Sequence, residues 1–216
     1  MNCFRYKMEH DYGFAPNPFH GIMSLATCKG LQLRHNSNLE IGDWVIGLGS
    51  VSMNNLGRII YAMQIEEKIT FDQYWEDPRL QIKKPVIGGT LVQMYGDNVY
   101  HTVNGIVVQE HCAHSLDGGG VNEEHLRRDS EGKFVLLSKK FYYFGDHCPV
   151  IPDDYSYMLN NSRGTKFWDL HNEDDKINRF IDWLDSTYGV GIHGDPCNWK
   201  EFNRPKYKVY EDEEDK

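Results

Sequence analysis

"VYHTVNGIVVQEH", residues 99–111, sets Asn104-Gly105 between two runs rich in valine and isoleucine. A two-residue hairpin turn needs positive φ at both central positions, and Asn followed by Gly adopts it at least cost, so the stretch predicts two antiparallel strands joined by a tight turn. Parallel neighbours would instead need a crossover of a dozen or more residues. The hairpin makes the two runs antiparallel neighbours.

Upstream, "CFRYKME" (3–9) alternates apolar and polar residues as a half-buried strand does. "IMSLATCK" (22–29) reads as a short second strand, "GLQLRHNSNLEIGD" (30–43) as a connection, and "DWVIGLGS" (43–50) as an apolar strand running into a glycine turn. "GRIIYAMQIEEKI" (57–69) has the β-branched content of a fourth strand. "TFDQYWEDP" (70–78) offers Thr70 as N-cap with Gln73 three residues on, and Pro78 to stop the segment, which predicts a helix of about two turns. Downstream of the hairpin, "SLDGGGVNEEHLRRDSEG" (115–132) reads as a polar glycine-rich loop and "KFVLLSKKFYYFG" (133–145) as one long strand or a strand pair. In "NEDDKINRFIDWLDSTYG" (172–189) the residues Ile177, Phe180, Ile181, Leu184 and Tyr188 form an apolar stripe. Acidic residues fill the first turn and Gly189 sits where a C-cap glycine belongs, giving a second helix over about 173–188.

Strands with two helices and no βαβ alternation make the class α+β, with a mainly antiparallel, barrel-like sheet. The expected organisation is a single globular domain over residues 1–210. Residues 1–145 would hold the sheet, residues 146–210 would wrap it, and the acidic segment 211–216 would be a disordered tail. Length, an apolar fraction of 40% and an aromatic fraction of 13% allow a sizeable core.

The net charge is -9, and residues 1–210 alone carry 22 basic against 27 acidic groups. Such a balance disfavours sequence-independent DNA binding, which draws on Lys and Arg to release counterions. It leaves a nucleotide, or a base read in a pocket, compatible. Five scattered cysteines with no CxxC pair point to reduced thiols, and no apolar run reaches the length of a membrane span. A cytoplasmic protein is expected.

Several clusters could carry chemistry. Gly47, Gly49 and Ser50 could form an anion-binding nest, although a P-loop lysine and a dinucleotide fingerprint are both missing. A tight turn is the plain alternative. Thr27 and Lys29, with Arg34 and Arg58, are cations and a hydroxyl suited to a phosphate or carboxylate, or are ordinary surface residues. His101, His111, His114 and His125, with Cys112, include an H-x-x-H spacing in "HCAH" that could hold a metal, and equally could be loop histidines or a general base. Asp97, Asn98 and His101 in "YGDNVYH" (95–101) could read the polar edge of a base or simply close a turn. Phe14, Phe19, Tyr74 and Trp75 could stack on a base or belong to the core. A Ser or Cys nucleophile has no local signature here, GxSxG being absent.

"DYGFAPNPFHG" (11–21), "LATCK", "GDWVIGLGS", "GRIIYAM", "FDQYWEDPR" followed by "KKP", "YGDNVYH" and "FYYFG", in this order over residues 6–152, resemble the nucleotide modification associated domain family, in particular its second type. The resemblance implies an α+β domain associated with DNA base modification or phage-host conflict, in a bacterial cell or a phage-infected host. The family's polar positions fall here at Asp11, Asn17, Thr27, Lys29, Asp43, Ser50, Arg58, Asp97, Asn98, His101 and His114. The "GDWV" strand is also similar to PUA-like domains of the EVE and ASCH groups, which read modified bases.

The function expected is binding of a nucleotide or modified nucleobase in a pocket at the end of the sheet. Asp97, His101 and Lys29 are the candidate catalytic residues, and Asp11, Tyr12, Phe14, Asn17, Phe19, Thr27, Ser50, Arg58, Asn98 and His114 the candidate ligand-binding ones. Lys29 and Arg58 would hold a phosphate, Asp97 or His101 would move a proton, and Asn17 would orient the base. The alternatives are a non-catalytic PUA-like reader of modified DNA and a metal-dependent hydrolase built on His101, His111 and His114. No cofactor follows from the motifs.

Overall fold

The computed structural model describes residues 1–28, 39–159 and 167–201. Lys29, Arg34 and the acidic segment 211–216 lie outside the described residues, as does most of the connection expected at 30–43. In chain order the elements are β1 (Asn2–Lys7), β2 (Met23–Leu25), β3 (Trp44–Leu48), β4 (Ile59–Gln64), β5 (Glu67–Ile69), α1 (Phe71–Glu76), α2 (Leu91–Met94), β6 (Tyr100–Val103) and β7 (Ile106–Gln109). They continue with α3 (Glu123–Ser130), β8 (Val135–Ser138), β9 (Phe141–Tyr143), β10 (Phe167–His171), α4 (Asp174–Thr187) and β11 (Gly191–Ile192). The α+β class holds. The chain divides into two compact units, one of Met1–Asp11, Ser37–Glu67 and Ser138–Trp199, the other of Tyr12–Asn36, Lys68–Leu137 and Lys200–Lys216.

The first unit is built on a six-stranded sheet in the order β10-β1-β3-β4-β9-β11. The interior strands β3 and β4 are continuous apolar runs because both faces are covered: all five residues of β3 and five of the six in β4 are buried. The pairs β1·β10, β3·β4 and β4·β9 are antiparallel, while β1·β3 and β9·β11 are parallel. The sheet is open, with β10 and β11 at its edges, rather than closed into a barrel. Local patterning does not determine closure; that depends on which strands meet at the edges. Gly47 is required by packing. A Cβ there would meet the Tyr61 ring at 2.3 Å and the Met8 sulfur at 2.6 Å, and the bare backbone lets Tyr61 reach Tyr6 through a hydroxyl-hydroxyl bond of 2.8 Å. The amphipathic stripe of α4 is buried at Ile177, Phe180, Ile181 and Leu184, and the helix lies against β1.

The second unit carries a three-stranded sheet, β2-β8-β5, and the ribbon β6-β7. Asn104 (φ 51°) and Gly105 (φ 80°) form the predicted turn, with Val103 opposite Ile106. Thr70 caps α1 with both halves of a capping box, and Tyr74 on that helix enters a core with Ala26, Leu80, Val135 and Leu137. The stretch expected as a single strand at 57–69 is divided at Ile65-Glu66, and its two parts join different sheets. The expected loop at 115–132 contains α3, capped by the Asn122 side chain on the His125 amide.

Candidate functional site

The loop 12–21 is fastened from within the second unit. Asn17 is buried and engaged at both side-chain atoms: its Nδ2 donates to the Tyr95 carbonyl (2.9 Å), and its Oδ1 accepts from the Phe19 amide (3.2 Å) and from Lys83 Nζ (2.7 Å). Lys83 also donates to the Asn17 carbonyl at 3.2 Å, and Asn17 pairs through its backbone with Ser24. The side chain expected to orient a base thus closes the loop instead. Tyr12 stacks on Tyr95 with ring centroids 5.6 Å apart, and Phe14 and Phe19 are buried.

Asp97 accepts from Ser24 Oγ and from the Tyr74 hydroxyl, both at 2.7 Å. Burial raises its pKa and the Lys83 charge opposes that rise; burial likewise lowers Lys83 to about 8, against the attraction of Asp97. In both groups the loss of water outweighs the mutual attraction. Asn98 donates to the carbonyls of Tyr74 and Leu80, and its Oδ1, also buried, has no partner among the described residues. Asp97 and Asn98 therefore hold α1 and the segment after it to β2.

A second buried cluster centres on Asp129 of α3. One carboxylate oxygen accepts from the Cys28 amide (2.8 Å); the other accepts from the Tyr100 hydroxyl (2.9 Å) and faces His114 Nδ1 at 2.7 Å. The other ring nitrogen of His114, Nε2, lies 3.7 Å from the Cys28 sulfur. Phe14 and His125 meet the imidazole edge-on, at centroid distances of 4.8 and 4.1 Å. Burial disfavours charge on His114, but the Asp129 carboxylate, its hydrogen bond and Cys28 override it and bring the pKa up to about 9. Burial, followed by the His114 and Arg128 charges, pushes His125 down to about 4. Gln109 supports the cluster, donating to the Tyr100 hydroxyl (3.1 Å) and accepting from the Asn122 amide at the start of α3 (2.9 Å). Cys28 is half-buried, with φ at 54°, a region side-chain-bearing residues rarely occupy. Its neighbour Thr27 is fully buried, with Oγ1 lacking a partner among the described residues.

The remaining candidates are dispersed. His101 pairs with Glu110 (2.8 Å) and stacks on Trp75 at 4.0 Å, and Lys84 Nζ sits 3.3 Å from that indole ring. His111 lies against Gly119. His101, His111 and His114 are not gathered into a donor set. Among the described residues, the group whose donor atoms fall within 4.8 Å of one another is Cys28, His114 and Asp129. Asp11, Ser50 and Arg58 belong to the first unit. Asp11 accepts from the Tyr143 hydroxyl (2.6 Å) and the Cys197 amide (3.1 Å), and Arg58 donates to the Cys148 carbonyl (2.8 Å). The Ser50 amide donates to Asn55 Oδ1 and the Gly49 amide to the Arg58 carbonyl, so both are used within the turn and the anion nest is not formed there.

The family described as nucleotide modification associated domain 2 matches residues 1–203, which takes in segments of both units. The chain belongs to this family. No curated protein and no solved structure matches it. Of the family-like polar positions, Asn17, Thr27, Asp97, Asn98 and His114 in the nucleotide modification associated domain are buried in the second unit. Among the described residues no helix is long and apolar enough to cross a membrane.

Cys28, Asp129, Tyr100 and Lys83 stand in no motif of the sequence that marks them as site residues. The acidic first turn and basic last turn of "NEEHLRRDS" are helix signals that would have placed Asp129 on a helix. Nothing local marks its partner, since Cys28 and Asp129 are 101 residues apart.

Proposed function

We propose that this chain is directed at a nucleotide or nucleobase in the course of base modification, in the setting of DNA modification or phage-host conflict, and that its second unit takes the ligand. The family match over residues 1–203 is the observation that carries this. Support for the location comes from two buried polar atoms of that unit without a partner among the described residues, Asn98 Oδ1 and Thr27 Oγ1, which a base edge could satisfy. The acidic balance favours a small ligand over the backbone of duplex DNA. Asn17, Lys83 and Asp97 act in this proposal by holding the loop and α1 in place.

The test is thermal denaturation in the presence of nucleotides, modified nucleosides, and duplexes with and without modified bases. A ligand at about a hundred times its Kd stabilises by about 2.7 kcal/mol. Stabilisation by a free nucleotide or nucleoside is expected, and it should be lost in Asn98→Ala. Stabilisation by modified duplex alone, declining with salt, would establish a reader instead. No stabilisation by any of them refutes the proposal.

A further inference from the structure

We infer that Cys28 is a thiol nucleophile, with His114 as its base and Asp129 as the positioning residue that orients the base. The imidazole lies between the other two groups: Nε2 faces the sulfur at 3.7 Å and Nδ1 faces the carboxylate at 2.7 Å. Nucleophile, base and orienting acid in that sequence are what activation of a thiol requires. Asp129 also holds the backbone of Cys28 through its amide at 2.8 Å, so one carboxylate fixes both the base and the residue carrying the nucleophile.

The same three residues make a poor metal site. A cation shared by the sulfur and Nε2 leaves the carboxylate on the far nitrogen, outside the coordination sphere, with two ligands from this group where zinc takes at least three from the protein. The other thiols lack such partners. Cys3 and Cys112 are buried, and burial pushes them up to about 12 and about 11, while Cys148 and Cys197 are also raised by burial. The half-buried position of Cys28 gives it access that a buried thiol lacks. One residue away, the open Thr27 hydroxyl offers a hydrogen bond to a bound group.

In the step inferred, the Cys28 sulfur reacts as the thiolate paired with the His114 imidazolium, its proton held on Nε2; the sulfur forms a bond to an electrophilic sp2 carbon, and the displaced π pair moves to a conjugated oxygen or ring nitrogen. The choice of electrophile rests on the proposed nucleotide function, and carbon 6 of a pyrimidine, conjugated with the 4-carbonyl of uracil or the C4=N3 bond of cytosine, is the position a base offers to a soft nucleophile. The adduct takes a proton from water at carbon 5. Reversal loses a carbon-5 hydrogen and breaks the carbon-sulfur bond, restoring the thiolate beside the His114 imidazolium, with no oxidant or reductant.

Among the described residues, His114 is faced by Asp129, Cys28, Cys112 and His125, with Tyr100 on the same carboxylate and Arg128 behind His125. The experiment alkylates the full chain with iodoacetamide, which releases iodide, and follows each cysteine by peptide mass between pH 6 and 9. Cys28 should react at least tenfold faster than the other four at pH 7 and keep its rate down to pH 6. His114→Gln should slow it about tenfold. If that variant does not fold, the wild-type profile decides: a Cys28 rate falling tenfold per pH unit below about 8, as an ordinary thiol's does, overturns the inference. Stoichiometric zinc that protects Cys28 and is absent from Cys28→Ser also overturns it, assigning the three residues to a metal. In heavy water, dUMP or dCMP should acquire deuterium at carbon 5 with the wild type and not with Cys28→Ser. No exchange alongside fast alkylation overturns the pyrimidine as electrophile. The thermal-shift test of nucleotide binding fails or succeeds independently of the alkylation result.

Discussion

Asp129→Asn is the most informative single change, because the carboxylate it removes serves three donors and one charge. The side chain is fully buried and accepts from the Cys28 amide, the Tyr100 hydroxyl and His114 at 2.7 to 2.9 Å. Asparagine keeps the shape but turns an amide toward at least one of those donors, and it leaves the His114 charge uncompensated. Breaking a buried charged pair costs about 3 to 5 kcal/mol, and that is the loss expected at pH 6.

The pH dependence of that loss identifies its cause. His114 has a folded pKa of about 9 against an ordinary 6.5. A raised folded pKa gives stability that is complete below 6.5 and disappears as pH climbs through 9, and the shift corresponds to about 3 kcal/mol. Asp129→Asn removes the main cause raising that pKa, leaving burial, which lowers it. The stability difference between wild type and variant should therefore shrink by about 3 kcal/mol between pH 6 and 9.5. Lys83 titrates near 8 in both proteins and cancels in the difference. Urea denaturation followed by tryptophan fluorescence at constant ionic strength measures it. A difference that is the same at both pH values would show that the His114 and Asp129 charges are not coupled.

Lys83→Met removes two hydrogen bonds to Asn17 and the cation that offsets Asp97, and should cost about 3 to 5 kcal/mol in urea denaturation. A gain in stability would mean that Asp97 is neutral in the folded protein. Gly49→Ala places a Cβ 2.0 Å from the Asn55 carbonyl oxygen, backbone that cannot move aside cheaply, and should lower stability by about 1 to 3 kcal/mol. A neutral result by thermal denaturation would show that the 49–57 turn readjusts freely.

The elements legible in the sequence are those whose cause is local. The Asn104-Gly105 turn, the Thr70 capping box, the apolar run of β3 and the stripe of α4 each carry their signal within a few residues, and each forms as expected. β10 and the two-residue β11 exist because a neighbouring strand has an open edge, which "FWDLH" and "GI" do not announce. The division at Ile65-Glu66 is tertiary in the same sense: β-branched patterning continues through it while the chain changes sheets. α3 is short and strongly polar, so the glycines before it outweighed its caps.

The site shows the same split between local and distant causes. Asp97 and Asn17 stand in conspicuous motifs, yet both are committed to donors inside the unit. Moving a proton through Asp97 would release Tyr74 from α1 or Ser24 from β2, and turning Asn17 toward a ligand would strip a buried lysine of its acceptor. Their chemistry is used up in holding the fold. Asp129 is committed too, but one of its partners is an imidazole whose other nitrogen faces a half-buried thiol, so a proton can shift between Nε2 and sulfur without breaking a structural bond. Polarity alone does not separate these carboxylates. They differ in what lies beyond the first partner, and for Asp129 that is Cys28, 101 residues earlier in the chain.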